Sequence, residues 1–265
     1  MLLVLDVGNT QTVIGLYAPE VANPKKTTKD LRAHWRIATN SERTADELAL
    51  VLSQFLALEN VNLKVDVKGI AVSSVVPRLT TTYEELATRY APDAELVVLR
   101  AGIDVGMRAL VDTPKEVGAD RLANSVGAFD LYGGPSIVVD FGTATTFEVV
   151  SKEGDYLGGV ILPGIEVSLE ALFAKTAALR RVELVEPRNV IGKNTIEHIQ
   201  SGAIYGFAAQ VDGLTERIKN EIGEATVVAT GGLAGLIQPH TKHITVLDPW
   251  LTLHGLRVVF ERLIK

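Results

Sequence analysis

Residues 135–151 read PSIVVDFGTATTFEVVS and decide the fold of this chain, because they repeat a pattern that occurs near the N-terminus. In each copy an apolar run ends in an aspartate, a glycine and a threonine follow, and a second apolar run begins at once. The first copy carries DVGNT from Asp6 and the second carries DFGTA from Asp140, so the offset is 140 − 6 = 134 residues. A repeat at about half the chain length predicts two similar domains with a ligand cleft between them.

The remaining segments carry strand and helix patterns in alternation. A helix over ELALVLSQFL is predicted to begin near Thr44, because Thr44 and Glu47 have capping-box spacing. The other predicted helices are TTTYEELATRYA, RLANSVGAFDLY, residues 195–222 and LHGLRVVFERL. The predicted strands are LLVLDVGN, TVIGLYA, LRAHWRIAT, GIAVSSVVP, AELVVL, the two runs of residues 135–151, and the start of VVATGGLAG. This order predicts an α/β layered protein.

The DVGNT turn has the chemistry of a phosphate-binding loop. A glycine after a strand lets the backbone turn sharply, which brings amide N–H groups close to a phosphate. Asn9 and Thr10 add neutral donors, whereas Asp6 repels phosphate and is suited to holding Mg²⁺ that bridges phosphate oxygens. Taken alone, the pentapeptide is more typical of an ordinary hairpin whose polar residues cap the turn.

The second copy favours the phosphate interpretation. Asp140, Gly142 and Thr143 would form a second phosphate loop, and VVATGGLAG at residues 227–235 adds a third strand-and-glycine element that suits an adenosine moiety. Duplicated glycine hairpins with aspartates at strand ends are typical of actin-like and sugar-kinase-like ATPases. We therefore expect two similar ribonuclease-H-like domains with mixed sheets flanked by helices, over residues 1–115 and 116–265.

A candidate catalytic carboxylate lies in GADR, residues 118–121. A kinase that phosphorylates an alcohol needs a carboxylate able to accept or orient the hydroxyl proton, and Asp120 fits that role. Arg121 could neutralise developing charge or hold an anionic substrate. The spacing is equally compatible with Asp120 as a helix N-cap and Arg121 as a surface residue.

Composition bounds the class of protein. The chain has 265 residues, 47% of them hydrophobic, a net charge of −6 and no cysteine. These values indicate an ordinary globular protein without disulfides or thiolate chemistry, and they argue against nucleic-acid binding, which needs a basic surface. The local cationic cluster of Lys25, Lys26 and Lys29 is interpreted as a solvated hairpin tip. The apolar runs are too short for a membrane span, so we expect a soluble cytoplasmic protein.

Taken together, these segments resemble type III pantothenate kinase, the bacterial enzyme that begins coenzyme A synthesis. The resemblance extends over the whole chain, and GADR, GGVILPG at 158–164 and IGKNT at 191–195 are its most specific motifs. The other matching segments are DVGNT, SSVVP at 73–77, DFGTATTFEVV, IQSGAIYG at 199–206, TGGLAG and LTLHGL at 251–256.

The resemblance implies a complete set of functional residues. The ATP phosphate loop would consist of Asp6, Val7, Gly8, Asn9, Thr10, Gln11, Thr12 and Val13, assisted by Thr143. Asp120 would accept the proton of the pantothenate alcohol, and the substrate would contact Gly118, Ala119, Asp120, Arg121 and Thr195. Asp140 would bind a monovalent cation, K⁺ or NH₄⁺, alongside ATP and Mg²⁺. The family works as a homodimer, which is therefore expected here.

One position departs from the family pattern. Val111 in VDTP stands where the family often has a substrate-contacting tyrosine, so a phenol hydroxyl is missing there. Three alternatives stay open from the sequence: another small-molecule kinase of this fold, an ATP-binding regulatory or assembly protein, and a family member that binds ligands without catalysis.

Overall fold

The computed structural model describes residues 1–18, 31–100 and 102–264. The predicted solvated tip at Lys25, Lys26 and Lys29 lies outside these residues. Within the described part, no helix combines the length and the apolar character that crossing a membrane would require.

The first hundred residues contain the predicted strands and helices. In order they are β1 (Leu2–Val7), β2 (Gln11–Tyr17), β3 (Leu31–Ala38), α1 (Ala45–Leu58), β4 (Gly69–Ser74), α2 (Pro77–Tyr90) and β5 (Glu95–Leu99). The predicted capping box is present at α1: the Glu47 N–H donates to Thr44 Oγ1 at 3.3 Å, and the Thr44 N–H donates to Glu47 Oε2 at 2.8 Å. Pro77 stands at the first turn of α2, where its missing N–H costs no hydrogen bond.

The rest of the chain repeats this order of strands, and one of its helices, Thr195–Ile222, is twice as long as α1. After a short 3₁₀ helix, Pro114–Glu116, come α3 (Ala119–Tyr132), β6 (Ser136–Phe141), β7 (Ala144–Val150), β8 (Tyr156–Pro163), α4 (Ile165–Lys175), α5 (Thr195–Ile222), β9 (Thr226–Thr230), α6 (Ala234–Ile237), a second 3₁₀ helix, Gln238–His240, β10 (Val246–Leu247) and α7 (Leu251–Leu263). The sequence analysis did not predict β8 and α4. Glycines weaken the strand pattern of β8, and α4 begins after Gly164 without a side-chain cap.

The two sheets have the same topology, which confirms the internal repeat. In the described residues each sheet has five strands, in the orders β3-β2-β1-β4-β5 and β10-β9-β6-β7-β8. In both sheets the central strand pairs antiparallel with the strand that follows its glycine turn, and parallel with the strand on its other side. β6 therefore corresponds to β1 and β7 to β2, so the fold is the predicted pair of mixed sheets flanked by helices.

Packing groups the chain into two compact units. Unit 1 is Met1–Leu131 with Trp250–Lys265, and unit 2 is Tyr132–Pro249. These bounds differ from the predicted domains, 1–115 and 116–265, because α3 and α7 pack within unit 1. A Cβ added at Gly255 of α7 would lie 1.8 Å from the carbonyl oxygen of Ala123 in α3, so the two helices cross at close range.

Each unit has its own hydrophobic core on one face of its sheet. In unit 1, side chains such as Leu5, Ile14 and Val72 pack against Leu52 of α1 and Leu86 of α2. In unit 2, strand residues that include Ile137, Val139, Phe147, Val227 and Ala229 pack against Ile204, Phe207 and Val211 of α5. Burying a large aliphatic side chain contributes about 1.5–3 kcal/mol, so these faces anchor the strands whose ends carry the candidate site.

Candidate active site

The first candidate phosphate loop is a tight turn at the end of β1. Val7 and Thr12 are paired across the hairpin, and the Gly8 N–H donates to the Gln11 carbonyl oxygen at 3.0 Å. Asn9, Thr10 and Gln11 are exposed at the tip. The turn therefore exposes neutral polar groups, and their role in binding phosphate stays a prediction.

The predicted loop residues divide into an exposed tip and a buried base. The side chains of Val7 and Thr12 are 0% and 1% exposed, whereas Asp6 pairs with Val13 and both are only partly buried. Because side chains alternate along a strand, Asp6 and Val13 lie on the opposite sheet face from Val7 and Thr12. A ligand at the turn would thus contact the tip, while Val7 and Thr12 support the hairpin from the core.

The strand β3 holds the hairpin in place. The Thr39 N–H donates to the Thr10 carbonyl oxygen at 2.9 Å, and the hydroxyls of Thr39 and Thr12 lie 2.9 Å apart. The sequence analysis did not single out Thr39, because a threonine after a strand carries no signal that it will meet a residue 27 or 29 positions earlier.

GADR forms the start of α3. The Leu122 N–H donates to the Gly118 carbonyl oxygen at 3.1 Å, so Asp120 lies inside the first helical turn and is not the N-cap. Asp120 Oδ1 accepts a hydrogen bond from the Arg121 N–H at 2.9 Å, and a Cβ at Gly118 would lie 2.5 Å from that oxygen. The carboxylate folds back over Gly118, so a side chain at position 118 would require the carboxylate to shift. The positive end of the helix stabilises a negative charge at Asp120.

Arg121 is anchored next to this carboxylate. Its Nη2 donates to the Glu116 carbonyl oxygen at 3.2 Å, which fixes the guanidinium beside the short 3₁₀ helix. Asp120 and Arg121 are both partly buried. The structure thus places a carboxylate and a guanidinium within one helical turn, and their roles as proton acceptor and anion partner stay predictions.

In unit 2 the structure brings Asp140 and Gly231 together. β6 and β9 are parallel, and Asp140 is in register with Thr230. Gly231 has a positive φ of 92°, and a Cβ there would lie 2.5 Å from Asp140 Oδ1 and 2.6 Å from the Phe141 nitrogen. The double-glycine segment predicted to approach a nucleotide therefore packs directly on the aspartate of the second hairpin.

A third glycine closes on the same hairpin. The Gly164 N–H donates to the Thr143 carbonyl oxygen at 3.1 Å, and a Cβ at Gly164 would lie 2.3 Å from that oxygen. Gly164 immediately precedes α4, so the N-terminus of this helix starts beside the exposed residues Gly142 and Thr143. GGVILPG thus ends at the second hairpin, a contact that its sequence did not reveal.

Thr195 lies in another part of unit 2. It is the first residue of α5, whose N-cap Asn194 accepts a hydrogen bond from the Glu197 N–H at 3.0 Å. An open groove of about 520 Å³ runs beside it. The groove is lined by Ala178, Arg180, Arg181, Val182, Glu183, Thr195, Ile196, Ile199 and Gln200. Two arginines and several aliphatic side chains suit a small carboxylic acid with an apolar body.

The carboxylates near the hairpins can serve as cation ligands only together with other groups. Among the described residues, no group of three or more His, Asp or Glu side chains is arranged to hold a metal ion by itself. Gly231 keeps side-chain atoms away from the Asp140 carboxylate, since a Cβ at position 231 would lie 2.5 Å from Oδ1. A single carboxylate fits a cation that takes most of its ligands from phosphate oxygens and water, as Mg²⁺ in kinases does.

The duplicated sheets and their hairpins define a protein of the actin-like ATPase fold. A Sinorhizobium meliloti protein assigned as a 2-dehydro-3-deoxygalactonokinase superposes with a TM-score of 0.61 and 12% identity over 100% of this chain and 97% of its own. The activator of 2-hydroxyisocaproyl-CoA dehydratase from Clostridium difficile, solved with bound ADPNP, gives a TM-score of 0.57 and 13% identity over 97% and 93%.

The family follows from sequence comparison. A family model described as type III pantothenate kinase matches residues 2–217. The type III pantothenate kinase of Streptomyces griseus subsp. griseus is 49% identical over 269 residues, which cover 99% of this chain and 98% of that protein. The chain belongs to the type III pantothenate kinase family.

Proposed function

We propose that this protein transfers the γ-phosphoryl group of ATP to the 4′-hydroxyl of pantothenate, the first step of coenzyme A biosynthesis. The observation that carries the proposal is the 49% identity to a type III pantothenate kinase over 99% of the chain. The three carboxylates that the chemistry requires, Asp6, Asp120 and Asp140, are all present. The paired glycine hairpins supply the nucleotide-binding geometry.

The hairpins act by positioning the nucleotide. Exposed donors at Asn9, Thr10 and Thr143 would hold the phosphates, and Gly8 and Gly231 keep the backbone free of side chains at the close approaches. Asp6 and Asp140 are the carboxylates that would hold Mg²⁺ and a monovalent cation, K⁺ or NH₄⁺. When bound, these cations screen the charge of the triphosphate.

Asp120 is the proposed proton acceptor. The substrate oxygen forms a bond to the γ-phosphorus, the bond from that phosphorus to the bridging oxygen breaks, ADP leaves, and the hydroxyl proton passes to the Asp120 carboxylate. The hydrogen bond from the Arg121 N–H holds Oδ1, which leaves Oδ2 as the oxygen available for the proton. Phosphoryl transfer depends mainly on such positioning and on charge stabilisation.

Two regions are candidates for contacting the acceptor substrate, one in unit 1 and one in unit 2. Gly118, Ala119 and Arg121 lie around the proposed base, and Thr195 lies in the groove with Arg180 and Arg181. The arginines offer partners for the pantothenate carboxylate, and Ile196 and Ile199 offer apolar surface for its methyl groups. These features support an acidic, partly apolar substrate despite the loss of a phenol at Val111.

We further propose that the protein is a homodimer. Among the described residues, half of the large apolar side chains that are exposed lie within residues 161–196 of unit 2. They are Ile161, Val167, Leu172, Val185, Val190, Ile191 and Ile196. A concentration of this kind is typical of a surface that associates with another chain.

A coupled assay of ADP release tests the reaction. With ATP, Mg²⁺ and K⁺ present, we expect ADP release that depends on pantothenate and falls when Na⁺ replaces K⁺. The D120N variant should lose at least about 100-fold in kcat, because general-base catalysis contributes roughly that much. It should keep its melting temperature and its affinity for a non-hydrolysable ATP analogue.

The control and the contrary outcomes are specific. D93N removes an exposed carboxylate of the same unit and should leave kcat unchanged. A D120N variant with near-normal turnover would disprove the assignment of the base. ADP release without any dependence on pantothenate, across a panel of sugars and short acids, would favour a regulatory ATPase or a different acceptor.

A further inference from the structure

Arg43 lies in the turn that leads from β3 into α1. Its N–H donates to the Asn40 carbonyl oxygen at 3.2 Å, and Thr44, the N-cap of α1, follows it directly. The sequence analysis treated this segment only as the start of a helix. No pattern in the sequence distinguishes Arg43 from an ordinary surface arginine.

The Arg43 guanidinium is buried at one nitrogen and has no partner there. Nη1 has essentially no solvent contact, and among the residues that the structure describes it makes no hydrogen bond. Removing a charged donor from water without a partner is costly, and buried polar atoms in folded proteins are nearly always paired. The unpaired nitrogen therefore leaves this guanidinium with hydrogen-bonding capacity that a group from outside the chain can satisfy.

The surroundings of Arg43 belong to the first phosphate hairpin. Thr39, four residues earlier, is bonded through its N–H to the Thr10 carbonyl oxygen and through its hydroxyl to Thr12. Tyr83 reaches the same place from α2, since its hydroxyl is within reach of both Thr12 and the Arg43 charge. The turn that carries Arg43 is thus tied to both sides of the loop that is proposed to bind phosphate.

Among the residues that the structure describes, no carboxylate forms an ion pair with Arg43. Burial raises the pKa of Tyr83 to about 12, against the opposing effects of Thr12 and Arg43, so the phenol stays neutral at physiological pH. The Arg43 charge contributes to lowering the pKa of Glu47, but the hydrogen bonds to the Glu47 carboxylate come from the N–H and the hydroxyl of Thr44. Glu42 next to Arg43 is paired with Arg78 at 2.6 Å.

The hairpin residues themselves carry no positive charge. Residues 6–13 read DVGNTQTV and contain no lysine or arginine, although the proposed ligand carries several negative charges. Arg36 of the neighbouring strand β3 contacts the tip, where its Nη1 donates to Gln11 Oε1 at 3.0 Å. We propose that Arg43 binds a phosphate oxygen of the nucleoside triphosphate held by the hairpin Gly8–Gln11 and adds a second positive charge to this site. This inference rests on the proposed function, because it assumes that the hairpin binds ATP. A guanidinium suits the role because its planar fork can contact two phosphate oxygens at once.

Calorimetric titration with the imido analogue of ATP, in the presence of Mg²⁺, tests the proposal without turnover. R43Q should bind the analogue about 10- to 100-fold more weakly, the range expected for losing a hydrogen bond to a charged group. R43K should recover part of the affinity, because it restores the charge without the fork. R78Q, which removes a neighbouring exposed arginine, should bind like the wild type.

Thermal unfolding separates ligand binding from a structural role. Since R43Q removes an unpaired buried charge, its melting temperature without ligand should equal or exceed that of the wild type, while the shift caused by the analogue becomes smaller. Wild-type affinity in R43Q would overturn the inference and leave the proposed function intact. A melting temperature several degrees lower without ligand, not rescued in R43K, would also overturn it by showing a structural role.

The two proposals fail in different ways. Absence of pantothenate-dependent ADP release, with the analogue still bound through Arg43, would remove the proposed function and retain the inference. A wild-type protein that binds neither the analogue nor inorganic tripolyphosphate would remove both.

Discussion

At the scale of single residues, Gly231 connects two motifs that lie far apart in the sequence. Its positive φ of 92° favours glycine, and a Cβ there would overlap Asp140 Oδ1 at 2.5 Å and the Phe141 backbone at 2.6 Å and 2.7 Å. The main chain cannot yield easily, because Phe141 ends the central strand β6. Any side chain at position 231 must therefore displace the carboxylate that is proposed to hold a cation.

The G231A variant tests this contact. We expect a lower melting temperature and a fall in kcat/KM for ATP on the order of 100-fold, because a shift of about 1 Å at a phosphate site can cost that much. The measurements are thermal unfolding and steady-state kinetics at varied ATP. G235A is the matched control, since a Cβ at Gly235 meets nothing within 4 Å. Equal kinetics in G231A and G235A would show that the Asp140 carboxylate does not need its present position.

At the scale of secondary structure, the capping box of α1 is the best example of a local rule that the structure follows. The Thr44 hydroxyl and the Glu47 carboxylate satisfy each other's backbone N–H groups, as the spacing predicts. The turn before this box carries Arg43, so α1 and the phosphate hairpin share one short segment. Loss of the cap should therefore weaken the helix without touching the hairpin directly.

The T44A variant should lower stability by about 1 kcal/mol, the usual contribution of an N-cap side chain. For a chain of this size that corresponds to roughly 2–4 °C in melting temperature. T44S, which keeps the hydroxyl, is the control and should melt like the wild type. An unchanged melting temperature in T44A would mean that the α1 N-terminus does not limit stability.

The same capping interaction also predicts how stability changes as the pH falls. Hydrogen bonds from Thr44, first through its backbone N–H and then through its hydroxyl, hold the pKa of Glu47 below its usual 4.5. A carboxylate with a lowered pKa contributes stability that is present above its unfolded pKa and is lost as pH falls through the folded value. E47Q should therefore show a smaller loss of stability than the wild type below about pH 4.5. Parallel unfolding curves from pH 6 to 3 would contradict this.

At the scale of the whole molecule, the duplicated topology places corresponding elements in each unit. Unit 1 carries the first hairpin and the proposed base, and unit 2 carries the second hairpin and the groove at Thr195. Each unit has its own hydrophobic core. A ligand can therefore contact the strand ends without disturbing the packed side chains of that core. The surface proposed for dimer formation lies on unit 2, where the exposed apolar residues of segment 161–196 are found.

The double variant V190D/I191D tests the proposed homodimer. Placing two charges among exposed apolar side chains should convert a dimer into a monomer, as measured by light scattering after size-exclusion chromatography. L58D is the control, since Leu58 is equally exposed but lies in unit 1. A monomeric wild type, or a V190D/I191D variant that stays dimeric, would refute this location for the interface.

The sequence by itself determined the elements that depend on local chemistry. Apolar periodicity predicted α5 over about residues 195–222, the Thr44 box predicted the start of α1, and the repeat at Asp6 and Asp140 predicted two matching sheets. These features follow from backbone propensity and from hydrogen bonds between near neighbours. The family motifs also placed the candidate site residues, whose roles stay predictions until the variants are measured.

Only the tertiary structure decided how distant segments meet. It placed Gly231 on Asp140, Gly164 on Thr143, and the last helix against α3 through Gly255 and Ala123. It also buried Arg43 Nη1, which has no hydrogen-bond partner among the residues that the structure describes. These contacts join residues tens to more than a hundred positions apart, and their geometry depends on how whole sheets and helices pack. A local pattern cannot encode that geometry, since the same glycine or arginine would serve equally well in an exposed turn.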